Sequence, residues 1–432
     1  MKNINLGVLG LGTVGTGVYK MIDENHDVIY KRLGAALNIK KIADIDITTD
    51  RGIKIDKKIL TTDANEVVQD PDIDIIIETI GGEDIAFDYI MKAINSGKHI
   101  VTANKALIAS KGNTLFNIAI DRGVDIAFEA SIGGCIPIIK TIRETLISNR
   151  INYMKGILNG TCNYILSKIT QQGSSFEDAL AEAQQKGYAE ADPTLDIEGI
   201  DTAHKLAIFM SLAYGMELDF KNIYIEGITK ITPMDIEMAD KFGYRIKLLA
   251  ITKNRGDSVE ARVHPTMISQ DNMLAKVDGS INAVTINGDK TSDIVLYGYG
   301  AGMMPTASAV LSDVIDVSRN ILSESILRIP ILSYQKQYIQ KIPILPIEEI
   351  ESQYYIRFTT LDRPGVLANI SGILGKFNIS IDSVHQKGRS SNNIVPIVML
   401  THEAKELHIN KALNEIKSLD VVVDPPTLIR ID

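Results

Sequence analysis

The chain has 432 residues and a mass of 47.4 kDa, enough for two to four domains at about 100–200 residues each. With 45% hydrophobic and 23% charged residues it is a folded globular protein rather than a disordered one. Its 45 Lys plus Arg against 54 Asp plus Glu give a net charge of −9, which argues against a nucleic-acid surface while leaving room for a locally positive pocket. Cys135 and Cys162 are too few for a disulfide framework or a cysteine-only zinc site, and they point to a reducing compartment. The most apolar run, Leu206 to Met216, is shorter than the roughly 20 residues a bilayer requires. Met1 leads straight into an apolar strand with no signal-peptide pattern, so the expected location is the cytoplasm, with no membrane partner.

Residues 1–130 alternate apolar β-branched runs with helical patterns. Strands are predicted at Ile4–Gly10, Asn38–Ala43, Ile73–Thr79, His99–Thr102 and Val124–Phe128, and helices at Val14–Leu33, Ile85–Ser96 and Thr114–Arg122. This order predicts an α/β domain, a Rossmann-type doubly wound parallel sheet that binds ligands at the carboxyl ends of its strands. From about Ile132 an α+β block follows, expected to span 131–302. It has helices at Thr161–Gln171, Phe176–Gln185 and Ile200–Tyr214, then strands at Asn222–Ile228, Ile246–Thr252, Val259–His264, Ile281–Ile286 and Ile294–Tyr297. A helix at Thr306–Ile321 lies in a segment, 303–325, expected to return to the first domain. Residues 326–350, with Pro330, Pro343 and Pro346, read as a linker. Residues 351–432 then show the ferredoxin-like order βαββαβ, with a turn at Asp362–Gly365.

Gly10-Leu11-Gly12-Thr13-Val14-Gly15 follows a predicted strand and opens a helix, the arrangement that brings a pyrophosphate onto a helix N-terminus. The second strand ends in Ile42-Ala43-Asp44-Ile45-Asp46, two acids and no base. Asp44 suits a ribose 2′-hydroxyl, although a solvated loop carboxylate explains it equally well. Glu78–Gly82 and Val101–Lys105 end the next two strands. Lys105 is either a surface cation or a group facing the cofactor crevice. Glu129–Pro137 combines one carboxylate with small residues, as a domain hinge or a carbonyl cradle for a hard cation would. The densest polar stretch is Lys186–Gly199 with Asp201 and Lys205. The last two share a helix face at i and i+4, and a lysine beside carboxylates in a cleft has the proton that an alkoxide needs. His99, His204 and His264 share no metal-ligand spacing.

These motifs, together with Asn159-Gly160-Thr161, Gly300-Ala301-Gly302 and Pro305-Thr306-Ala307, resemble the long form of homoserine dehydrogenase with a C-terminal ACT domain. The resemblance spans the whole chain. It implies reversible interconversion of L-homoserine and L-aspartate 4-semialdehyde with NAD or NADP, on the route to threonine, methionine and isoleucine. By matching positions, Lys205 would be the proton donor, and Glu190 and Asp201 would bind the amino acid. Gly10, Leu11, Gly12, Thr13, Val14 and Gly15 would line the phosphates, with Asp44 at the ribose and Lys105, Gly187 and Gly302 on the nicotinamide side. Glu129 with the carbonyls of Ile132, Gly134 and Ile136 resembles the family's monovalent-cation site, usually sodium. Many relatives carry a base where this chain has Ile45, so NAD is expected to serve at least as well as NADP. The ACT resemblance implies threonine as effector at an ACT–ACT interface, with Gly365, Asn369 and Asn378–Ile381 as contacts, in a dimer or tetramer. The rival readings are an ACT-linked dehydrogenase acting on a 2-hydroxy acid or a prephenate-like substrate, and a sensor without catalysis.

Overall fold

The computed structural model describes residues 2–386 and 394–432. They form two units: residues 1–154, 201–221 and 281–342, and residues 155–200, 222–280 and 343–432.

In the first unit β1 (Asn3–Leu9), β2 (Ala36–Ala43), β3 (Leu60–Thr61), β4 (Ile75–Glu78), β5 (His99–Thr102) and β6 (Ile126–Ala127) lie in the order β3-β2-β1-β4-β5-β6. Every pairing is parallel. The order reverses between β1 and β4, and the glycine loop leaves β1 at that switch point. Leu6, Val8, Ile75, Ile77 and Val101 meet Val18 of the first helix and Val310 and Val314 of helix Met303–Leu322 in one core. Burying each such side chain contributes about 1.5–3 kcal/mol.

The predicted single helix over Val14–Leu33 is two, Thr13–Glu24 and His26–Leu33. Asn25 leaves helical geometry between them (φ −113°, ψ 19°), and its N–H closes the first helix on Met21 O. The helix expected from Thr114 begins nine residues earlier, at Lys105, because Asn104 caps it by accepting Leu107 N–H at 3.1 Å. Helix Ile200–Tyr214 has the predicted bounds. It is buried almost all round, which makes Asp201 and Lys205 charges inside the fold.

Strand β7 (Ile151–Ile157), unforeseen in the sequence, leads along the chain into the second unit. There β8 (Tyr224–Ile225), much shorter than the predicted strand, runs parallel to β10 (Val259–Ser269), and β9 (Tyr244–Asn254) forms an antiparallel hairpin with β10. Helix Pro233–Lys241 was also unforeseen, although a capping box of Thr232 and Asp235 announces it. In the first unit β11 (Ile281–Gly288) and β12 (Ser292–Tyr299) form another hairpin.

The C-terminal module is β13 (Glu351–Leu361), helix Val366–Lys376, β14 (Ile381–Gln386), β15 (Ile394–Thr401), the two-residue β16 (Ala404–Lys405), helix Glu406–Lys417 and β17 (Val422–Ile431). Its sheet order β17-β13-β15-β14 is the ferredoxin-like one, over a core that includes Tyr354, Phe358, Ile370, Met399 and Ile409. The sheet continues beyond it: Arg430 and Ile431 of β17 pair in parallel with Thr266 and Met267 of β10. Residues in the proline-containing stretch are tied in as well. Gln340 bridges Met216 in the first unit, and Ile344 bridges Val259 in the second.

Candidate active site

The glycine loop is fixed by close backbone approach. A Cβ on Gly15 would sit 2.1 Å from Gly10 O, and one on Gly10 (φ +95°) would sit 2.8 Å from the Thr79 carbonyl. Gly12 is different: nothing lies within 4 Å of its Cβ position, so the loop is open on that side. Thr79 Oγ1 donates to Gly10 O at 2.9 Å, and Thr16 Oγ1 donates to Leu11 O at 2.9 Å. The helix starts at Thr13, and the bond from Thr16 N to Gly12 O (2.9 Å) closes its first turn. The first-turn N–H groups of Thr13 and Val14 precede that bond, a helix N-terminus suited to an anion.

Asp44 braces this loop. Its Oδ2 accepts Leu11 N–H, and its Oδ1 accepts Asp46 N–H at 2.8 Å. The sequence reading of two acids and no base is corrected here. Asp46 Oδ1 gathers the N–H groups of Thr48 and Thr49, each at 3.0 Å, and the resulting turn returns Arg51 to the strand end. Arg51 Nη2 donates to Asp46 O at 2.7 Å and stands 3.6 Å from Asp44 Oδ1. The hydrogen bonds to Thr48 and Thr49 hold the Asp46 carboxyl well below the usual range.

At the ends of β4 and β5, Glu78 is fully buried. It accepts from Thr102 Oγ1 at 2.5 Å, Ile80 N at 2.9 Å and Gly81 N at 3.2 Å. Burial nonetheless raises its carboxyl above the usual range. Asn104 Nδ2 donates to Gly82 O at 2.6 Å, so one side chain joins the two strand-end loops and caps the helix that begins at Lys105.

Lys105, Asp201 and Lys205 come together. Asp201 Oδ2 accepts from Lys205 Nζ at 2.7 Å, and Asp201 Oδ1 lies 3.0 Å from Lys105 Nζ. Asp201 and Lys205 are 5% and 8% exposed, whereas the Lys105 side chain is 42% exposed. Two ammonium groups share this one carboxylate, and such donors suit an incoming carboxylate or a developing alkoxide. His204 on the same helix lies against Phe220 with the rings tilted (4.3 Å between ring centres, 36° between planes), and burial lowers its pKa.

Glu129 does not extend a carboxylate into an open hinge. Its two oxygens accept Ile139 N–H and Lys140 N–H, both at 2.9 Å, and its own N–H donates to Asp313 Oδ2 at 2.7 Å. Burial, reinforced by Asp313, pushes Glu129 up to about 8, and burial pushes Asp313 up to about 6. Lys140 reaches Ser312 and Asp316 beside them. Gly134 (φ +56°) turns the loop against the Gly300 carbonyl, and Ile136 O already accepts Ile138 N at 2.8 Å. Gly302 (φ +123°) begins helix Met303–Leu322, where Thr306 N donates to its carbonyl at 3.0 Å.

Gly187 and Glu190 lie in the second unit, in a loop with a clasp of its own. Asn159 Nδ2 donates to Asp196 Oδ1 at 2.7 Å while its Oδ1 caps helix Gly160–Gln172 through Cys162 N at 2.9 Å. The Thr161 hydroxyl donates to Tyr188 O at 2.6 Å, with Asp196 Oδ2 3.0 Å away. Glu190 is exposed, and its carbonyl accepts from Gln184 Nε2 at 3.1 Å. In the C-terminal module Gly365 takes φ +90° and accepts Asn369 N at 3.0 Å, and Asn378 takes φ +58°.

Among the described residues no group of three His, Cys, Asp or Glu side chains has metal-binding geometry, and no helix is long and apolar enough to cross a membrane. Arg51 and Asp313 join these clusters although the sequence reading did not name them, and Asn104 stood there only within Val101–Lys105, with no role of its own. Only Asn104 carried a local signal, as an N-cap residue after a strand.

A glycine loop at the switch point of a 3-2-1-4-5-6 parallel sheet belongs to dinucleotide-dependent oxidoreductases. The comparisons narrow the class. Residues 10–129 match the homoserine dehydrogenase NAD-binding domain, 137–315 match homoserine dehydrogenase, and 354–421 match the ACT domain. The chain is 45% identical to the homoserine dehydrogenases of Neisseria gonorrhoeae and Pseudomonas aeruginosa, covering 100% of this chain and 99% of each relative. A homoserine dehydrogenase structure from Thiobacillus denitrificans superposes with a TM-score of 0.94 at 44% identity, over 100% of this chain and 99% of that one. The chain belongs to the homoserine dehydrogenase family and is an NAD(P)-dependent oxidoreductase.

Proposed function

We propose that this chain interconverts L-homoserine and L-aspartate 4-semialdehyde, with Lys205 carrying the proton. The observation that supports it best is the buried Lys205–Asp201–Lys105 cluster. The dinucleotide, when bound, supplies or accepts the hydride. Lys205 gives its proton to the substrate carbonyl oxygen during reduction and takes the hydroxyl proton during oxidation. Asp201 aims the Lys205 ammonium through a 2.7 Å hydrogen bond, while its other oxygen ties Lys105 into the same cluster. Glu190 offers a carboxylate to the substrate ammonium, as the family resemblance implies. Lys105, Gly187 and Gly302 serve the nicotinamide side, and Leu11, Thr13 and Val14 serve the phosphates.

NAD is used at least as well as NADP in this reading, because Asp44 presents a carboxylate where a 2′-phosphate would lie. Arg51 at 3.6 Å moderates that preference without reversing it. A monovalent cation, sodium, would be held by the carbonyls of Ile132, Gly134 and Ile136 and by the lone pairs that Glu129 keeps after taking two N–H groups. No chemical step in this reading needs the cation. The ACT domain serves regulation by threonine in a homo-oligomer. If millimolar threonine neither inhibits nor shifts melting, the module serves assembly instead.

The test is the initial rate of dinucleotide reduction with L-homoserine, run separately with NAD and NADP. Homoserine-dependent reduction is expected with both. Its absence with both cofactors would overturn the assignment and revive the sensor reading.

A further inference from the structure

We infer that Arg430, in the last strand of the ACT domain, is a positioning residue for the substrate loop 187–199, acting through Glu226. The inference rests on the reading above that this loop, through Glu190, binds the amino acid.

Arg430 is 3% exposed, and its guanidinium is divided between two carboxylates. On the ACT side, Nε donates to Glu406 Oε2 at 2.9 Å and Nη2 to Glu406 Oε1, at the start of helix Glu406–Lys417. Tyr354 OH donates to the same Glu406 Oε2 at 3.0 Å. On the other side, Nη1 donates to Glu226 Oε2 at 2.9 Å and Nη2 to Tyr224 OH at 3.1 Å. The guanidinium carbon also lies 4.9 Å from the Tyr224 ring centre. Two carboxylates around one guanidinium hold Arg430 charged, and they fix its planar fork in one orientation.

Glu226 is the first residue past β8, and the segment it begins carries the end of the substrate loop. Its N–H is fixed by Val263 O at 2.8 Å. Gly227 has no room for a side chain, since a Cβ would lie 2.4 Å from Ile197 O and 2.6 Å from Glu198 Cα. Ile228 N donates to Ile197 O at 2.8 Å, and Thr229 Oγ1 donates to Glu198 Oε1 at 3.2 Å. Ile197 and Glu198 adjoin Asp196, which meets Asn159 and Thr161, and Thr161 holds Tyr188 O. Contacts of hydrogen-bonding or van der Waals length therefore run without a gap from the ACT helix to the loop bearing Glu190.

A second link between the ACT domain and the body of the same unit supplies the control. Asp235, the N3 member of the capping box of helix Pro233–Lys241, binds Arg357 and Tyr355 of β13, and among the described residues neither of those side chains hydrogen-bonds to residues 225–229. Glu226→Gln keeps the shape of the Arg430 contact and removes its charge. It should raise the KM for L-homoserine about 3- to 10-fold, with kcat and the dinucleotide KM changed by less than about 2-fold, as expected when only ground-state and transition-state binding are lost together. Arg357→Met should lower the melting temperature and leave the homoserine KM within about 2-fold. An unchanged homoserine KM in Glu226→Gln, or an equal rise in Arg357→Met, overturns the role given to Arg430. Glu190→Gln separates the two readings. If it leaves the homoserine KM unchanged, the assignment of the loop to substrate fails, whatever Glu226→Gln shows.

Discussion

Asp235→Ala should be among the most damaging single substitutions in the chain outside the catalytic cluster. The Asp235 side chain is wholly buried and does two jobs. It completes the capping box by accepting Thr232 N at 3.0 Å and Thr232 Oγ1 at 2.6 Å. It also accepts Tyr355 OH at 2.9 Å and, in a two-pronged contact, Arg357 Nε at 2.7 Å and Nη2 at 3.1 Å. Losing its half of the capping box costs about 1 kcal/mol. Leaving a mostly buried guanidinium without its carboxylate costs about 3–5 kcal/mol, although Thr427 Oγ1 at 2.8 Å retains one of its bonds. The sum, about 4–6 kcal/mol, corresponds to a fall of about 8–24 °C at about 2–4 °C per kcal/mol for a folded body of about 150–250 residues. Asp235→Asn keeps a cap acceptor and one prong, and should lose about half as much. Calorimetry of the wild type and both variants measures this, and a double-mutant cycle with Arg357→Met should show a coupling of about 2 kcal/mol. A fall under about 3 °C for Asp235→Ala would refute the reasoning.

Three further outcomes follow from the first unit. Gly15→Ala should abolish dinucleotide binding, measured by titration, because its Cβ would meet Gly10 O at 2.1 Å; binding within about 2-fold of wild type would contradict the loop's role. Arg51→Ala should raise the NAD-to-NADP ratio of kcat/KM about 3- to 10-fold by removing a cation 3.6 Å from Asp44, whereas a clear NADP advantage in the wild type would refute the cofactor preference. Glu129 at about 8 and Asp313 at about 6 bind more protons when folded than unfolded, so stability should fall as pH rises from about 4.5 to 8. Sodium chloride should offset that fall more than choline chloride at equal ionic strength, and identical melting curves in the two salts would remove the cation from the account.

What the sequence made legible was local. The glycine loop and helix Ile200–Tyr214 each announce themselves within a few residues, by glycine spacing and by an apolar run carrying Asp201 and Lys205 one turn apart. The βαββαβ order was equally plain because strand and helix patterns alternate at short intervals from Tyr354 onwards. Lys105 could not be assigned from its own neighbourhood, since its partner Asp201 is distant in sequence and tertiary packing unites them. Arg51 was missed because the Asp46 turn that returns it to Asp44 needs side-chain hydrogen bonds invisible to periodicity. That Glu129 also takes the amides of Ile139 and Lys140 could not be read from the sequence, because both lie across an irregular turn. The linker reading of residues 326–350 gave no hint that β17 extends β10 or that Arg430 and Arg357 bind carboxylates outside the ACT module. Proline content reports local stiffness and says nothing of pairing partners far along the chain.

The most direct test of the central claim is Lys205→Met, with kcat measured beside dinucleotide affinity. Loss of the proton carrier should lower kcat by about 10²–10⁴, while the dinucleotide Kd stays within about 2-fold of wild type. More than about a tenth of the wild-type kcat, or a parallel loss of dinucleotide binding, would contradict the role given to Lys205.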